Sequence, residues 1–196
     1  MRIEKLYAPY YSENPYILLA DDSREALVVD PGYGALEQIQ STLDNLQATV
    51  AAVLCTHGHS DHIWDAHAVA GSAPVYIPAP DEYRFPPDTL DQRERIEHQM
   101  NLPPWQEPQN LQVLPDIAAV EGVELAPGIF LRLLPAPGHT EGSSLFLLET
   151  SKVSGSAAQD AQIPFNQWLR YSNQEDRLLT QLALRGDVLF ADSVGR

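Results

Sequence analysis

Thr56-His57-Gly58-His59-Ser60-Asp61-His62 brings three imidazoles and a carboxylate together within six positions, directly behind the apolar run Ala51-Ala52-Val53-Leu54-Cys55. The apolar run reads as a buried strand. The histidines therefore stand on the loop that leaves it, where the backbone is free to turn side chains inward. Gly58 permits a tight turn between His57 and His59. Imidazoles mixed with a carboxylate suit zinc, iron or manganese, and a polar loop with incidental histidines would not concentrate four donors in this way. Cys55, at the strand end, is read as a small buried residue, because alternation points it away from the neighbours of His57.

Upstream, Tyr16-Ile17-Leu18-Leu19-Ala20 and Ala26-Leu27-Val28-Val29-Asp30 flank the polar turn Asp21-Asp22-Ser23 and end at Pro31-Gly32. They read as an antiparallel hairpin. Leu36, Ile39, Gln40 and Leu43 have helical spacing, so a helix over 35–46 connects the hairpin to the strand at 50–55. Downstream, Ile63–Ala70 reads as a second helix and Ala73–Ile77 as a short strand. Residues 78–116, rich in proline and charge, read as a long surface excursion around one helix over Thr89–Met100. Ile129–Leu134 is then a strand leading into Pro137-Gly138-His139-Thr140-Glu141-Gly142-Ser143, and Ser144–Glu149 is another. His139 thus occupies a second turn between strands. From about 150 to 176 the composition shifts to Ser, Gln, Asn and Ala, an exposed insertion with Ile163, Phe165, Trp168 and Leu169 as apolar islands. A strand over Leu178–Leu184 resumes before Gly186-Asp187-Val188-Leu189-Phe190.

The 196 residues, 44% of them hydrophobic, suffice for a single domain over 1–196 with a substantial core. Against 12 basic residues stand 27 acidic ones, a formal charge of −15, which repels nucleic acid. A single cysteine excludes an intrachain disulfide. Met1-Arg2-Ile3-Glu4-Lys5 leads into no signal-peptide apolar region, and no stretch approaches the roughly 18 apolar residues of a membrane span, so a cytoplasmic protein without a membrane partner is expected.

Val29-Asp30-Pro31-Gly32, the Thr56–His62 loop, Pro137–Ser143 and Gly186–Phe190, in that order, resemble the metallo-β-lactamase superfamily. Within it they are most similar to the hydroxyacylglutathione hydrolase (glyoxalase II)-like branch. The resemblance implies an α/β (α+β) fold, a four-layer αββα sandwich with metals in a cleft at one edge of two sheets. It implies that His57, His59 and His139 hold one metal and that Asp61, His62 and Asp187 serve a second, with Asp187 bridging. Asp61 would also orient the nucleophile. Asp30, a turn residue before Pro31-Gly32, is given no ligand role. Thr140 and Ser143 either support ligands or satisfy local backbone. In the family a further histidine near the domain end completes the second site. The sequence reaches Arg196 without it, so the C-terminal part is expected to be truncated or the second site degraded. His67 and His98 are read as solvent-facing.

These assignments imply a metal-dependent hydrolase of a small thioester or ester, with zinc (one or two ions; iron or manganese in its place) and metal-bound hydroxide attacking the acyl carbon. The partner would be a small-molecule substrate. His62 argues against the β-lactamase subclasses that carry another residue at that position. Two alternatives stand beside this reading. One is a mononuclear-iron persulfide dioxygenase using His57, His139 and Asp187. The other is an inactive fragment or binding module.

Overall fold

The protein is described from a computed structural model covering residues 1–9, 11–86, 101–150, 180–184 and 186–188. The expected helix over Thr89–Met100 with His98, the insertion from 151 onward, and residues 189–196 lie outside the described residues.

Among the described residues ten strands form two sheets. The first has the order β1 (Arg2–Lys5), β2 (Tyr16–Leu19), β3 (Glu25–Val29), β4 (Thr49–Leu54), β5 (Val75–Ile77), β6 (Leu111–Val113). The second has the order β10 (Thr180–Leu184), β9 (Ser144–Thr150), β8 (Ile129–Pro135), β7 (Val123–Ala126). The hairpin expected from the sequence is present, with Tyr16 opposite Val29. From β3 onward the first sheet is parallel, and each crossover runs through helix or excursion.

The alternation along β3 and β4 divides the core in two. Ala26, Val28, Val53 and Cys55 face a cluster with Ile39, Leu43 and Leu46 of the helix α1 (Leu36–Leu46). Leu27, Val29, Ala52 and Leu54 face the second sheet, packing with Ile129, Leu131, Phe146 and Leu148. A strand covered on both faces must be apolar throughout, which is why these strands read as uninterrupted hydrophobic runs. Cys55 is fully buried on the helix side, as expected.

The single helix expected over Ile63–Ala70 is instead two short ones, α2 (Ser60–Ile63) and α3 (Ala66–Ala70). Asp65 interrupts them. Its backbone N–H donates to the Pro31 carbonyl at 2.9 Å, outside the helical ladder. Its Oδ2 accepts the backbone N–H groups of Gly34, Ala35 and Leu36 at 3.0–3.1 Å. A carboxylate from a distant turn thereby caps the N-terminus of α1, where unpaired N–H groups and the helix dipole favour negative charge.

The excursion over 78–116 also needs correction. Its last part supplies β6, an edge strand paired in parallel with β5, and its first part is a 3₁₀ turn over Ala79–Arg84. Strands β1 and β7 had no clear sequence signal either, being four residues each. A 3₁₀ turn over Asp116–Ala119 packs beside β8. Among the described residues no helix is long and apolar enough to cross a membrane.

The pairing fixes where loops emerge. Strands β3, β4 and β5 run parallel, so the segments after Val29, Leu54 and Ile77 leave the sheet at one edge. Strands β8 and β10 both pair antiparallel with β9 and therefore run the same way, so the β8–β9 turn and the segment after Leu184 also share an edge. These five exits meet.

Candidate metal centre

The loop after β4 carries His57, His59, Asp61 and His62, with His59 in extended conformation immediately before α2. The β8–β9 turn brings His139. The 3₁₀ turn Gly186–Val188 after β10 brings Asp187. The donor atoms of His57, His59 and His139 all lie within 4.8 Å of one another, and so do those of His57, His62 and Asp187. Asp187 stands between the two sets. Its Oδ1 is 3.4 Å from His62 Nε2 and its Oδ2 is 3.4 Å from His139 Nε2. Asp61 Oδ2 lies 3.7 Å from His62 Nε2, at the margin of this cluster.

The close approach of Gly186 makes this possible. A Cβ there would stand 2.3 Å from Thr56 Oγ1, and the residue has φ +42°, so glycine is required both for space and for backbone conformation.

His57 is 1% exposed and its Nε2 is buried without a hydrogen bond. An unpaired buried nitrogen costs free energy unless something coordinates it. Burial holds the His57 imidazole far below its ordinary pKa, and the neighbouring imidazoles of His62, His59 and His139 add to this. Burial and His139 also lower His59. These rings are therefore neutral with their lone pairs available, as a metal requires. The donor set and the orphaned His57 nitrogen fit divalent cations.

His62 behaves in the opposite way. Burial disfavours its charged form, but the Asp30 carboxylate, the hydrogen bond to Asp187 and Glu13 outweigh burial and raise it well above the usual histidine value. Asp187 is correspondingly lowered. Burial pushes it up, and the His62 hydrogen bond and surrounding imidazoles prevail.

Asp30, given no role from the sequence, is central to the support of this loop. It is 4% exposed and adopts φ +47°. Thr56 donates its backbone N–H to Oδ1 and its hydroxyl to Oδ2, each at 2.7 Å, and His62 Nδ1 is 3.1 Å from Oδ2. Holding Nδ1 leaves Nε2 as the outward atom of His62. Behind it Glu13, 7% exposed, is pushed up to about 10 by burial and by Asp30. Nothing local in the sequence marks Glu13.

His67 is half-buried at the surface, with Nδ1 2.7 Å from the Glu107 carbonyl, and belongs to none of the donor clusters. Thr140 and Ser143 satisfy each other and the loop backbone, and the Thr140 hydroxyl also reaches the buried Asp81.

Replacing Asp30 by Ala should destabilise the metal-free protein by about 3–5 kcal/mol, because it takes the acceptor from the buried His62 Nδ1 and from two Thr56 donors. In a chain of this size that lowers the unfolding midpoint by roughly 10 °C. Thermal unfolding by circular dichroism checks it, and an unchanged midpoint would mean that the network carries no stability.

A model of the metallo-beta-lactamase superfamily matches residues 12–153. An uncharacterized protein of Mycobacterium tuberculosis is 30% identical over 185 residues, covering 93% of this chain and 70% of the relative. A hydroxyacylglutathione hydrolase of Methylobacillus flagellatus is 30% identical over 145 residues, covering 73% of this chain and 47% of the relative. Among solved structures, a B3 metallo-beta-lactamase superposes with a TM-score of 0.67 at 24% identity, covering 99% of this chain and 76% of its own. A protein crystallised in a di-iron-bound form superposes with a TM-score of 0.62 at 20% identity, covering 98% and 75%.

Proposed function

Because the chain belongs to the metallo-beta-lactamase superfamily, we propose that it is a metal-dependent hydrolase of a small thioester or ester, resembling hydroxyacylglutathione hydrolases. The observation that carries the proposal is the pair of donor clusters sharing His57, with Asp187 between His62 and His139. His57, His59 and His139 would hold one divalent ion. Asp61, His62 and Asp187 would hold the second, with Asp187 common to both, and zinc is the metal that this imidazole-rich set suits best. Two such ions supply a water acidified toward neutrality and a polarised acyl carbonyl.

The chain's own groups do the remaining work. Asp30 fixes His62 through Nδ1, so that the imidazole keeps one orientation through turnover. Asp61, with its side chain 19% exposed and its Oδ2 3.7 Å from His62 Nε2, orients the attacking water and takes up its proton. The water oxygen forms a bond to the acyl carbon, the C–S bond breaks, and the thiolate leaves and takes back the proton held on Asp61, giving the free acid and the thiol. Support for a thioester comes from the relatives named hydroxyacylglutathione hydrolase, at 30% and 27% identity.

The test is thiol release from a hydroxyacyl-glutathione thioester by protein loaded with zinc, iron or manganese, run beside ring opening of a β-lactam and oxygen uptake on a glutathione persulfide. Thiol release that requires metal supports the proposal. β-Lactam opening alone, or oxygen uptake with one iron per chain, overturns it.

A further inference from the structure

Asp81 is fully buried, at 0% exposure, in the 3₁₀ turn that follows β5. Nothing in its local sequence explains a wholly enclosed carboxylate. Its contacts do. Oδ2 accepts the backbone N–H of Gly58 at 2.8 Å and the hydroxyl of Thr140 at 2.7 Å, and Oδ1 accepts the backbone N–H of Gly142 at 2.8 Å. Gly58 lies between His57 and His59, while Thr140 directly follows His139 and Gly142 closes the same turn. The first loop emerges from one sheet and the second from the other. One carboxylate therefore joins the two segments that supply the three clustered imidazoles.

The fit is close and the charge is balanced. A Cβ on Gly142 would stand 2.6–2.8 Å from the Asp81 side chain, so the turn lies flush against the carboxylate. Arg84 Nε is 3.4 Å from Asp81 Oδ1, and its guanidinium continues to Glu141 Oε2 at 2.7 Å. The three donors to Asp81 are N–H or O–H groups and it offers none in return. A carboxylate accepts all three at once, whereas the amide of asparagine would turn an NH₂ toward at least one donor.

We propose that Asp81 is a positioning residue that fixes the relative placement of the His57–His59 loop and the His139 turn, and so sets the affinity and geometry of the three-imidazole metal site. The inference rests on the reading of that cluster as a metal site. A group that orients ligands without touching the metal commonly governs affinity by about 10- to 100-fold. Asp65 is the natural comparison, a second buried carboxylate that accepts three backbone N–H groups but joins α1 to the α2–α3 turn and touches neither segment.

The experiment titrates metal-free full-length chain with cobalt(II), read by its visible absorption, and with zinc by competition against a chromophoric chelator. Wild type is compared with Asp81→Asn, Thr140→Val and Asp65→Asn, alongside their thermal unfolding. Asp81→Asn should weaken the tighter of two binding steps, the one assigned to the complete set His57, His59 and His139, by roughly 10- to 100-fold and alter the cobalt absorption bands. Thr140→Val, which removes one of the three bonds, should cause a smaller loss of the same kind. Asp65→Asn, which keeps one acceptor oxygen for the three N–H groups and removes only the charge, should leave the tighter step unchanged. Wild-type affinity and spectrum in both Asp81→Asn and Thr140→Val would overturn the inference alone. Equal weakening in Asp65→Asn would overturn it too, by making the loss independent of contact with the two segments. Failure of wild type to take up cobalt or zinc would overturn the metal-site reading itself. Should Asp81→Asn not fold, Thr140→Val decides by the same criteria.

Discussion

Asp187→Asn is expected to lower metal-dependent turnover by at least about a hundredfold, beyond the 10- to 100-fold typical of groups that merely orient ligands. The substitution keeps size and one acceptor oxygen. It deletes the charge that lies 3.4 Å from both His62 Nε2 and His139 Nε2 and that would balance two cations there. It also weakens the hydrogen bond that helps to keep His62 protonated in the metal-free protein, because a neutral amide oxygen replaces the carboxylate. Metal content should fall with turnover, whereas the unfolding temperature of the metal-free protein should change little, because the Asp187 side chain is 24% exposed and lies outside the hydrophobic core. Turnover and metal content near wild type in the variant would exclude Asp187 as a ligand. Loss of folding would assign it a structural role instead.

Removing metal should be the larger perturbation. Activity should vanish with chelation and return with added metal. At free metal a thousandfold above its dissociation constant, binding contributes about 4 kcal/mol to stability, so stripping it should lower the unfolding midpoint by roughly 8–16 °C. The metal-free protein should also show a characteristic pH profile. His57 and His59 are lowered in the folded state, so the unfolded chain binds their protons more readily and stability is lost as pH falls below about 6.5. Glu13 and His62 are raised, so their contribution is complete below their unfolded values. It is lost as pH rises, from about 4.5 upward for Glu13 and from about 6.5 upward for His62. Below about 6.5 the lowered histidines work against the raised Glu13 and Asp65, and above it Glu13 and His62 act together. The midpoint should therefore fall on the alkaline side of neutrality without metal. Loading metal should flatten the alkaline side, because coordination takes over once the imidazoles are deprotonated. A metal-free midpoint that keeps rising to pH 9 would contradict a protonated Glu13 and His62 in the interior.

Much of this was legible along the chain. The runs at 16–20, 26–30 and 50–55 announced themselves as strands because burial on both faces demands unbroken apolar residues, and α1 because one of its faces meets β3 and β4. The histidine loop was legible for a different reason, since four donors adjacent in sequence have no common structural use other than coordination. His139 was marked by its place on a turn between two apolar strands, whereas Gly186-Asp187 was found through resemblance.

Other features had no local signature. Strand β6 is three residues long, and its pairing with β5 reaches across 78–110, so no period could mark it. Asp65 reads as an ordinary helix residue until the N-terminus of α1, some thirty positions upstream, is brought against it. Asp30 is visible as a turn residue, but its bonds to Thr56 and His62 span 26 and 32 positions. Glu13 and Asp81 look like surface acids in a chain of formal charge −15, yet both are enclosed.

The sequence by itself thus determined the candidate donors of the histidine loop, the strand that carries them and the family of chemistry they suit, because those properties belong to neighbouring residues. Only the tertiary structure decided which carboxylates support the donors and how two sheets present them to one another. A buried acid is stabilised by hydrogen bonds from whatever backbone the fold brings near, and the N–H groups of Gly58 and Gly142 reach one carboxylate only after the β4 and β8 exits have met.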